Sequence, residues 1–526
     1  MKYQFFVGLA LSALYGLVLA DNQYTGDCKE IYNYLKGLGY IEDEKSYTPD
    51  LRSCEVDNNG NVVSLDIFSY CLKEEDFDKI LSYQSIKSLH FDTNDSYHSS
   101  SYDELRSCGN MKSLPQALFK LNNLQTLNLY GYDEFKENEI SSLPKSLTSL
   151  SFGNVELQQF SINELSECTN LKTLELYRTL FSKNVDFTPL KKLNNVTKIK
   201  LSNSHGSETV KEYLDSLFIT YFENLNSLTF SYCGFDEKVT IEKISNLKNL
   251  EKLHILGTTD HCIDDVNLFS SYYCPLTVIP NSIFSLSGLK EFDLHGNSIS
   301  IIPSSIGDLN KLINLNLNNC AIKSLPDSIS NLKSLKAIKM SENKLSTIPQ
   351  VLSKISSLEE INLSYNEIDD EIPESLNDLP NLKRFEIQGN VNIKGKTLTN
   401  KSLKYCSYLD YDDYNSKTTS LCKAKDIDCF QYYDDKIGNC AEEASTTTTK
   451  KTTTKKTTKK TTTKKTTTKK TTKKTTTKKT TTKKTTKKTK TKKTTTKKTT
   501  KKTTTKKTST RKTTKNNHIL FNNSNN

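Results

Sequence analysis

Histidine and cysteine side chains titrate or react most readily near neutral pH, so their spacing limits the chemistry that this chain could perform. The seven histidines are scattered, and His254 and His295 fall on successive candidate strands near Asp293. These three residues could bind a metal ion adventitiously or form a pH-sensitive patch, but polar residues on a binding surface are the favoured interpretation. None of the 13 cysteines has the CxxC spacing of a metal site.

Motifs of common enzymes are missing from the sequence. It contains no GxSxG, no HExxH, no GxxxxGK[ST] phosphate loop and no kinase signature set. We therefore predict that the protein is not an enzyme, and that it has no catalytic residue, no metal site and no cofactor.

Cys320 lies in a segment, "LNLNNCAIKSLP", that recurs along the chain. Related segments are "FDLHGNSISIIP", "IKMSENKLSTIP" and "INLSYNEIDDEIP". Their anchoring residues follow one another at intervals of 23 positions: Leu294, Leu317, Met340 and Leu363. One slot in the repeat holds Asn297, Cys320, Asn343, Asn366 and Asn390. Asparagine can join successive turns by hydrogen bonds and a cysteine fits the same space, so we interpret Cys320 as structural.

The pattern LxLxxNxLxxIPxxLxxLxxL resembles the leucine-rich repeat family, most closely its secreted plant-type members in "EIPESLNDLPNLKRFEIQGN". Strand signatures from Leu65–Ile67 to Phe385–Ile387 give about 13 repeats. Two spacings, 38 residues from Phe91 to Leu129 and 39 from Ile255 to Leu294, indicate insertions. The resemblance implies an α/β solenoid with parallel strands on its concave face, and return segments that are irregular or 3₁₀.

The alternation of each LxLxx strand predicts a binding surface, because the leucines point inward and the intervening residues face the concave side. Exposed Tyr, His and Arg on neighbouring strands are typical of recognition surfaces. The candidate ligand-binding residues are Phe68, His90, Tyr130, Tyr177, Arg178, Tyr232, His254 and His295.

The two ends of the repeat region are predicted to be closed by disulfides, since an exposed terminal repeat needs a cover. Cys28 and Cys54 precede the first strand, where "CEVDNNGNVVSLDI" resembles the cap of plant-type extracellular repeats. The four cysteines beyond the last repeat allow three connectivities. They are Cys406, Cys422, Cys429 and Cys440.

The remaining cysteines divide into thiols and possible bridges. Cys168 aligns with an apolar core position, and Cys233 occupies the asparagine slot. Two further bridges are possible near the insertions. The candidate cysteines are Cys71 with Cys108, and Cys262 with Cys274, although Cys274 also fits the asparagine slot.

Residues 1–20 have the charge and apolar pattern of a secretory signal, and no later stretch is long and apolar enough to span a membrane. The segment 446–515 contains 30 Lys and Arg and no acidic residue, which leaves 43 basic against 61 acidic residues elsewhere. Such a tail has no apolar face and is predicted to be disordered. It could be a spacer, a tether to anionic wall polymers or a passive solubilising tail; a role in binding nucleic acid in vivo is disfavoured by the signal sequence.

Sequons predict glycosylation on the exported protein. The candidate acceptors are Asn94, Asn195, Asn362 and Asn400. The predicted domains are a signal (1–20), an N-terminal cap (21–64), repeats (65–395), a Cys-rich C-terminal cap (396–445) and the tail (446–526).

The family resemblance implies a function in recognition rather than catalysis. We expect a secreted or cell-wall-associated protein that binds an extracellular protein or polysaccharide through its concave face. An inhibitor of a secreted hydrolase is the alternative, in which case the acidic domain would favour a basic enzyme as partner.

Overall fold

The fold is seen in a computed structural model of the chain. The described residues are 24–38, 51–68, 72–92, 113–132, 134–182, 184–202, 221–231, 242–257, 276–410, 420–424 and 427–441. The predicted signal and the predicted tail lie outside these ranges.

The described part of the chain is built on one sheet of fifteen strands. Its strands, in spatial order, are β1 (Leu51–Val56), β2 (Val62–Phe68), β3 (Ser88–Asp92), β4 (Thr126–Tyr130), β5 (Ser149–Gly153), β7 (Thr173–Tyr177), β9 (Lys198–Ser202), β10 (Ser227–Ser231), β11 (Lys252–Leu256), β12 (Glu291–Asp293), β13 (Asn314–Asn316), β14 (Ala337–Lys339), β15 (Glu360–Asn362), β17 (Arg384–Glu386) and β19 (Tyr405–Ser407). Apart from β1, which is antiparallel to β2, neighbouring strands are parallel.

All thirteen strand signatures found in the sequence are strands of this sheet, which confirms the predicted leucine-rich repeat solenoid. The register is continuous across both long spacings, because Leu89 pairs with Leu127 and Leu253 pairs with Phe292. The inward residues of successive strands form a single apolar core that runs the length of the sheet. Each repeat therefore buries its leucines only by stacking on its neighbours.

The return segments of the regular repeats contain 3₁₀ helices, in line with the irregular or 3₁₀ segments that the resemblance implied. In the regular repeats a proline in an extended conformation precedes a 3₁₀ helix of five residues, and its fixed φ favours the start of that turn. These helices are Asn281–Ser285, Ser304–Asp308, Asp327–Asn331, Gln350–Lys354 and Glu374–Asp378; further ones are Leu118–Lys120, Thr188–Lys192 and Tyr432–Lys436. Three α-helices lie wholly within the described ranges: Gly26–Gly37, Glu74–Ile80 and Gln159–Leu165.

The asparagine slot is a buried hydrogen-bonded ladder. The Nδ2 of Asn343 donates to the carbonyls of Leu317 and Met340, 2.8 and 3.1 Å away, and its Oδ1 accepts from the N–H of Ile322 at 3.0 Å. Asn366 makes the equivalent three bonds one repeat later. The backbone leaves the sheet at this turn, so these amides satisfy groups that water cannot reach.

Cys320 fills the same slot with weaker bonds. Its Sγ lies 3.4 Å from the carbonyl oxygen of Leu294, the acceptor that corresponds to Leu317 at Asn343. The thiol is buried and unpaired, and burial raises its pKa to about 11. Cys168 is likewise a buried free thiol whose pKa burial raises to about 11. Neither is poised to be a nucleophile, because the reactive form of cysteine is the thiolate.

The N-terminal repeats close the corresponding turn with different side chains. Tyr132, Val155 and Thr179 occupy the slot after β4, β5 and β7, and all three are buried. The segments that follow β5 and β7 pair as a small sheet of β6 (Glu156–Leu157) and β8 (Leu180–Phe181). A similar sheet in the last repeats and the C-terminal cap contains β16 (Asp369–Glu371), β18 (Asn392–Lys396) and β20 (Ser420–Cys422).

The N-terminal edge of the sheet is covered by the first helix, Gly26–Gly37. A disulfide joins Cys28 of this helix to Cys54 of β1. Asp27 adds a bond from the helix to β2, since its Oδ2 accepts from the N–H of Val62 at 2.9 Å. Helix and hairpin also approach closely at Gly26 and Gly60, where an added Cβ on Gly26 would lie 2.1 Å from a carbonyl oxygen.

The C-terminal edge is closed by two disulfides and a buried carboxylate. β19 lies beyond the last strand signature recognised in the sequence, and its Cys406 is joined to Cys429. Cys422 is joined to Cys440, so the structure selects one of the three possible connectivities. The fully buried Asp434 accepts from the N–H groups of Tyr408 and Leu409, which continue the chain after the edge strand. Burial raises the pKa of Asp434 above its ordinary value in spite of these donors.

The ladder predicts different outcomes for two substitutions. Asn343→Ala would leave the N–H of Ile322 and the carbonyl of Leu317 buried without partners, at about 1–3 kcal/mol for each group, so we expect a loss of at least about 2 kcal/mol. Cys320→Asn would restore the stronger bonds of the neighbouring repeats and should keep or raise stability. Urea unfolding followed by circular dichroism measures both changes. A loss below about 1 kcal/mol for Asn343→Ala would contradict the ladder.

Candidate functional site

Four of the predicted ligand-binding residues lie together on the concave face of β3, β4 and β7. The rings of His90 and Tyr130 are stacked, with centroids 5.2 Å apart and planes at 21°. Tyr177 follows, with its ring centroid 6.1 Å from that of Tyr130. The guanidinium carbon of Arg178 lies 5.4 Å from the centroid of Tyr177. We call His90, Tyr130 and Tyr177 the aromatic row.

Tyr130 is the centre of the aromatic row. Its Oη is 3.0 Å from the Oγ of Ser151 on β5, and burial raises the pKa of its phenol. The bond to Ser151 tilts the ring over β5 toward β7, so the ring lies across the sheet instead of standing upright on it. One face of the row is half-exposed along three strands.

Gly153 makes this arrangement possible. It is the β5 residue paired with both Tyr130 and Tyr177, and a Cβ built on it would lie 2.0 Å from Cδ1 of Tyr130. Any larger residue would therefore expel the ring. Sequence reasoning missed Ser151 and Gly153 because neither type signals binding, although the glycine inside the strand signature "LSFG" was a usable sign of a close approach.

Arg178 occupies a costly backbone position. The position two residues after the second inward residue of a strand signature commonly has a left-handed conformation, as in Gly131, Asn154, Arg178, Gly296, Asn319, Glu342, Tyr365 and Gly389. Glycine and asparagine adopt it readily, whereas an arginine with φ of 45° carries a cost of about 1–2 kcal/mol. Its exposed side chain is thereby directed to the rim of the concave face beside Tyr177.

His254 and His295 lie apart from the aromatic row, each beside a carboxylate. The Nε2 of His254 is 2.9 Å from Oε1 of Glu291, and the Nδ1 of His295 is 2.9 Å from Oδ1 of Asp293. His254 lies on β11 and His295 follows β12, and the strands β9 and β10 separate β11 and β12 from β7. The described ranges contain no group of three His, Cys, Asp or Glu that could hold a metal ion.

The pKa values of the carboxylates beside His254 and His295 are shifted by their charged and hydrogen-bonding neighbours. Burial alone would raise the pKa of Asp293, but hydrogen bonds from His295 and Asn316 outweigh it and lower the value. The hydrogen bond to Asp293 raises the pKa of His295. Burial also opposes ionisation of Glu291, whose pKa is nevertheless lowered by Lys252 and His254.

Other predicted site residues are placed less fully. Phe68 ends β2, opposite Asp92 of β3, and its side chain is not described. The remaining calls that fall outside the described residues are Tyr232, Cys71, Cys108, Cys233, Cys262, Cys274 and Asn94.

The three sequons within the described ranges differ in access. Asn195 is exposed, and Asn362 is half-exposed on β15 of the concave face. Asn400 is 5% exposed, and its Nδ2 donates to the carbonyls of Leu376, Asn377 and Leu379. A glycan on Asn400 is incompatible with this burial, so the sequon there is structural. Asparagine supplies three bonds at this turn, a role that the sequon pattern cannot distinguish from an acceptor site.

Comparisons with known proteins agree with the repeat architecture. A family model described as a leucine-rich repeat region matches residues 214–420. The sequence matches none of the curated proteins. The match covers the C-terminal repeats, and the strand register and inward leucine columns extend the same repeat architecture to the N-terminal strands.

Solved structures with similarity to this chain include two whose names specify leucine-rich repeats. One from Leptospira interrogans is 24% identical over 61% of this chain and 76% of its own, with a TM-score of 0.44. An internalin of Listeria monocytogenes is 20% identical over 61% and 85%, with a TM-score of 0.40. The ectodomain of the Arabidopsis thaliana receptor kinase GASSHO1/SCHENGEN3 is 16% identical over 69% and 46%, with a TM-score of 0.39.

Across the described residues, no helix is both long and apolar enough to cross a bilayer.

Gly153→Ala tests the packing of the aromatic row. The added methyl group must displace the Tyr130 ring, so we expect the ring-current shift of Tyr130 on His90 to be lost in side-chain NMR spectra. Gly438→Ala is the matched control, because a Cβ there meets nothing within 4 Å. Unchanged His90 resonances in Gly153→Ala would show that the rings do not stack as described.

The pair His295–Asp293 predicts a pH dependence of stability. A raised pKa means that the folded state binds the His295 proton more tightly, so the stabilisation is complete below about 6.5, the unfolded pKa, and is lost as pH rises through the folded value. NMR titration should give His295 a pKa above 6.5. In Asp293→Asn the pKa should fall below that of the wild type; an unchanged value would exclude Asp293 as the cause.

Proposed function

We propose, from the premise that this chain carries a leucine-rich repeat domain, that it is an extracellular, non-enzymatic binding protein. Its ligand is a protein or peptide held against the concave face. The observation that carries this proposal is the aromatic row, a half-exposed surface of three stacked and tilted rings fixed by Ser151 and Gly153.

The chemistry of the row suits a macromolecular ligand. Tyrosine offers a large contact area with few rotatable bonds and a polar tip, so it loses little conformational entropy on binding. Tyr130 is already held by its bond to Ser151, which reduces that cost further. An array spread over three strands fits an extended segment or a protein surface better than a small molecule, which favours an enclosed cavity.

Three disulfides among the described residues support the extracellular part of the proposal, because such bonds persist mainly in oxidising compartments. The sequence adds the predicted signal at residues 1–20. We extend the proposal to the tail: its lysines would retain the protein on an anionic matrix such as a cell wall while the repeat domain binds its ligand.

Affinity capture tests the proposed face. The full-length protein, immobilised, should retain one or a few secreted proteins from the organism's own culture fluid, and Tyr130→Ala combined with Tyr177→Ala should abolish that retention. Truncating two buried hot-spot aromatics commonly weakens binding by a factor of about 100 or more.

Ile301→Ser is the matched control for capture, because Ile301 is 74% exposed and lies outside the strands. Wall polysaccharides belong in the same experiment, since aromatic rings can also stack on sugars. If the double variant retains the same proteins as the wild type, the concave row is not the binding site.

A further inference from the structure

The proposed binding face has a cationic end, where two basic side chains form no ion pair with a carboxylate of the described residues. On the strands of the main sheet, the lysines and arginines other than Lys200 are paired with carboxylates within the described ranges. The pairs are Arg52–Asp92, Lys198–Glu175, Lys252–Glu291, Lys339–Glu360 and Arg384–Glu386. Arg178 and Lys200 have no carboxylate within 4.0 Å among the described residues, and both side chains are exposed.

Arg178 and Lys200 belong to neighbouring strand segments, with Arg178 three residues beyond the partner of Lys200. The backbone N–H of Arg178, which follows β7, donates to the carbonyl of Ser202 on β9, and Lys200 lies on the same strand. Glu175, the strand partner of Lys200, is already bonded to Lys198 at 2.6 Å. Among the described residues, no carboxylate forms an ion pair with either cation, so their positive charge is available to a ligand.

The conformation of Arg178 gives independent support. Most of the other left-handed turns of this kind hold glycine or asparagine, and Glu342 and Tyr365 are the exceptions, so arginine there works against stability. Residues that sacrifice stability in this way concentrate at functional sites. The guanidinium packs on Tyr177, which orients it while its N–H groups remain available to a carboxylate.

We propose that Arg178, Lys200 and the aromatic row together bind an extended acidic peptide segment in which an aromatic residue neighbours Asp or Glu. The inference rests on the proposed function and specifies its ligand. The five strands from β3 to β9 in the sheet span about 19 Å, a distance covered by roughly six extended residues. The ligand's aromatic ring lies on Tyr130 and Tyr177, and its carboxylate meets Arg178 and Lys200.

Fluorescence anisotropy on the full-length protein tests this assignment. The probe is a labelled library of six-residue peptides with Asp or Glu beside Tyr or Phe, and the matched library has Asn or Gln in place of the acids. We expect the acidic library to bind at least tenfold more tightly, and Arg178→Gly or Lys200→Gln to reduce that affinity at least tenfold. Every variant has the same basic tail, so differences between variants report on the concave face.

Glu342→Gly is the matched control, because Glu342 has the same left-handed backbone with φ of 56° on a distant repeat. Both glycine variants should raise the thermal midpoint, but only Arg178→Gly should lose peptide affinity. The inference is overturned if Arg178→Gly binds as tightly as the wild type, if the amide library binds equally well, or if single-stranded nucleic acid competes at the row more strongly than the peptides.

Capture of the natural partner separates the two proposals. Loss of capture in the Tyr130 and Tyr177 double variant, with full capture in Arg178→Gly, would leave the binding face standing and reject the acidic ligand. Full capture in both would reject both.

Discussion

The turn at which each repeat leaves the sheet is the constraint on which the structure depends. Main-chain groups there are buried between repeats, and each must find a partner inside the stack. In the regular C-terminal half one asparagine per repeat satisfies an N–H of the preceding repeat and carbonyls on both sides, as Asn343 and Asn366 do. The ladder holds the strands in register, and the strand register determines which side chains reach the concave face.

The two halves of the sheet meet this constraint differently, and the residues of the proposed binding face lie on only one of them. Where the ladder is absent, the buried side chains of Tyr132, Val155 and Thr179 fill the slot. The aromatic row and the unpaired cations lie on these N-terminal repeats. The C-terminal concave face is instead neutralised by ion pairs such as Arg384–Glu386 and Lys339–Glu360. The proposed recognition surface thus lies on the less regular half.

Periodicity predicted the fold well, because a leucine column that fails to face inward would leave a repeat without a core. It predicted all thirteen repeat strands and the structural role of Cys320. β19 escaped recognition because its inward position holds Cys406 instead of leucine. The caps were foreseen from cysteine positions, whereas their connectivity and the buried Asp434 depend on tertiary contacts that no local pattern contains.

The site was predictable only in part. Strand alternation placed His90, Tyr130 and Tyr177 on one face, yet their stacking depends on Gly153, a residue with no side chain to attract notice. The same alternation grouped His254 and His295 with them, although intervening strands keep them apart. The sequon at Asn400 could not reveal burial, because it reports a chemical motif and not the packing around it.

Hydrogen exchange at the turns is the most direct measurement of the central claim. The amides of Ile322, Leu345 and Ile368 lie outside the strands but donate to ladder asparagines, so they should exchange as slowly as strand amides. The amide of Ile299 donates to the sulfur of Cys320, a weaker acceptor, and should exchange faster than these three amides. Exchange of all four at the rate of exposed loops would contradict the account.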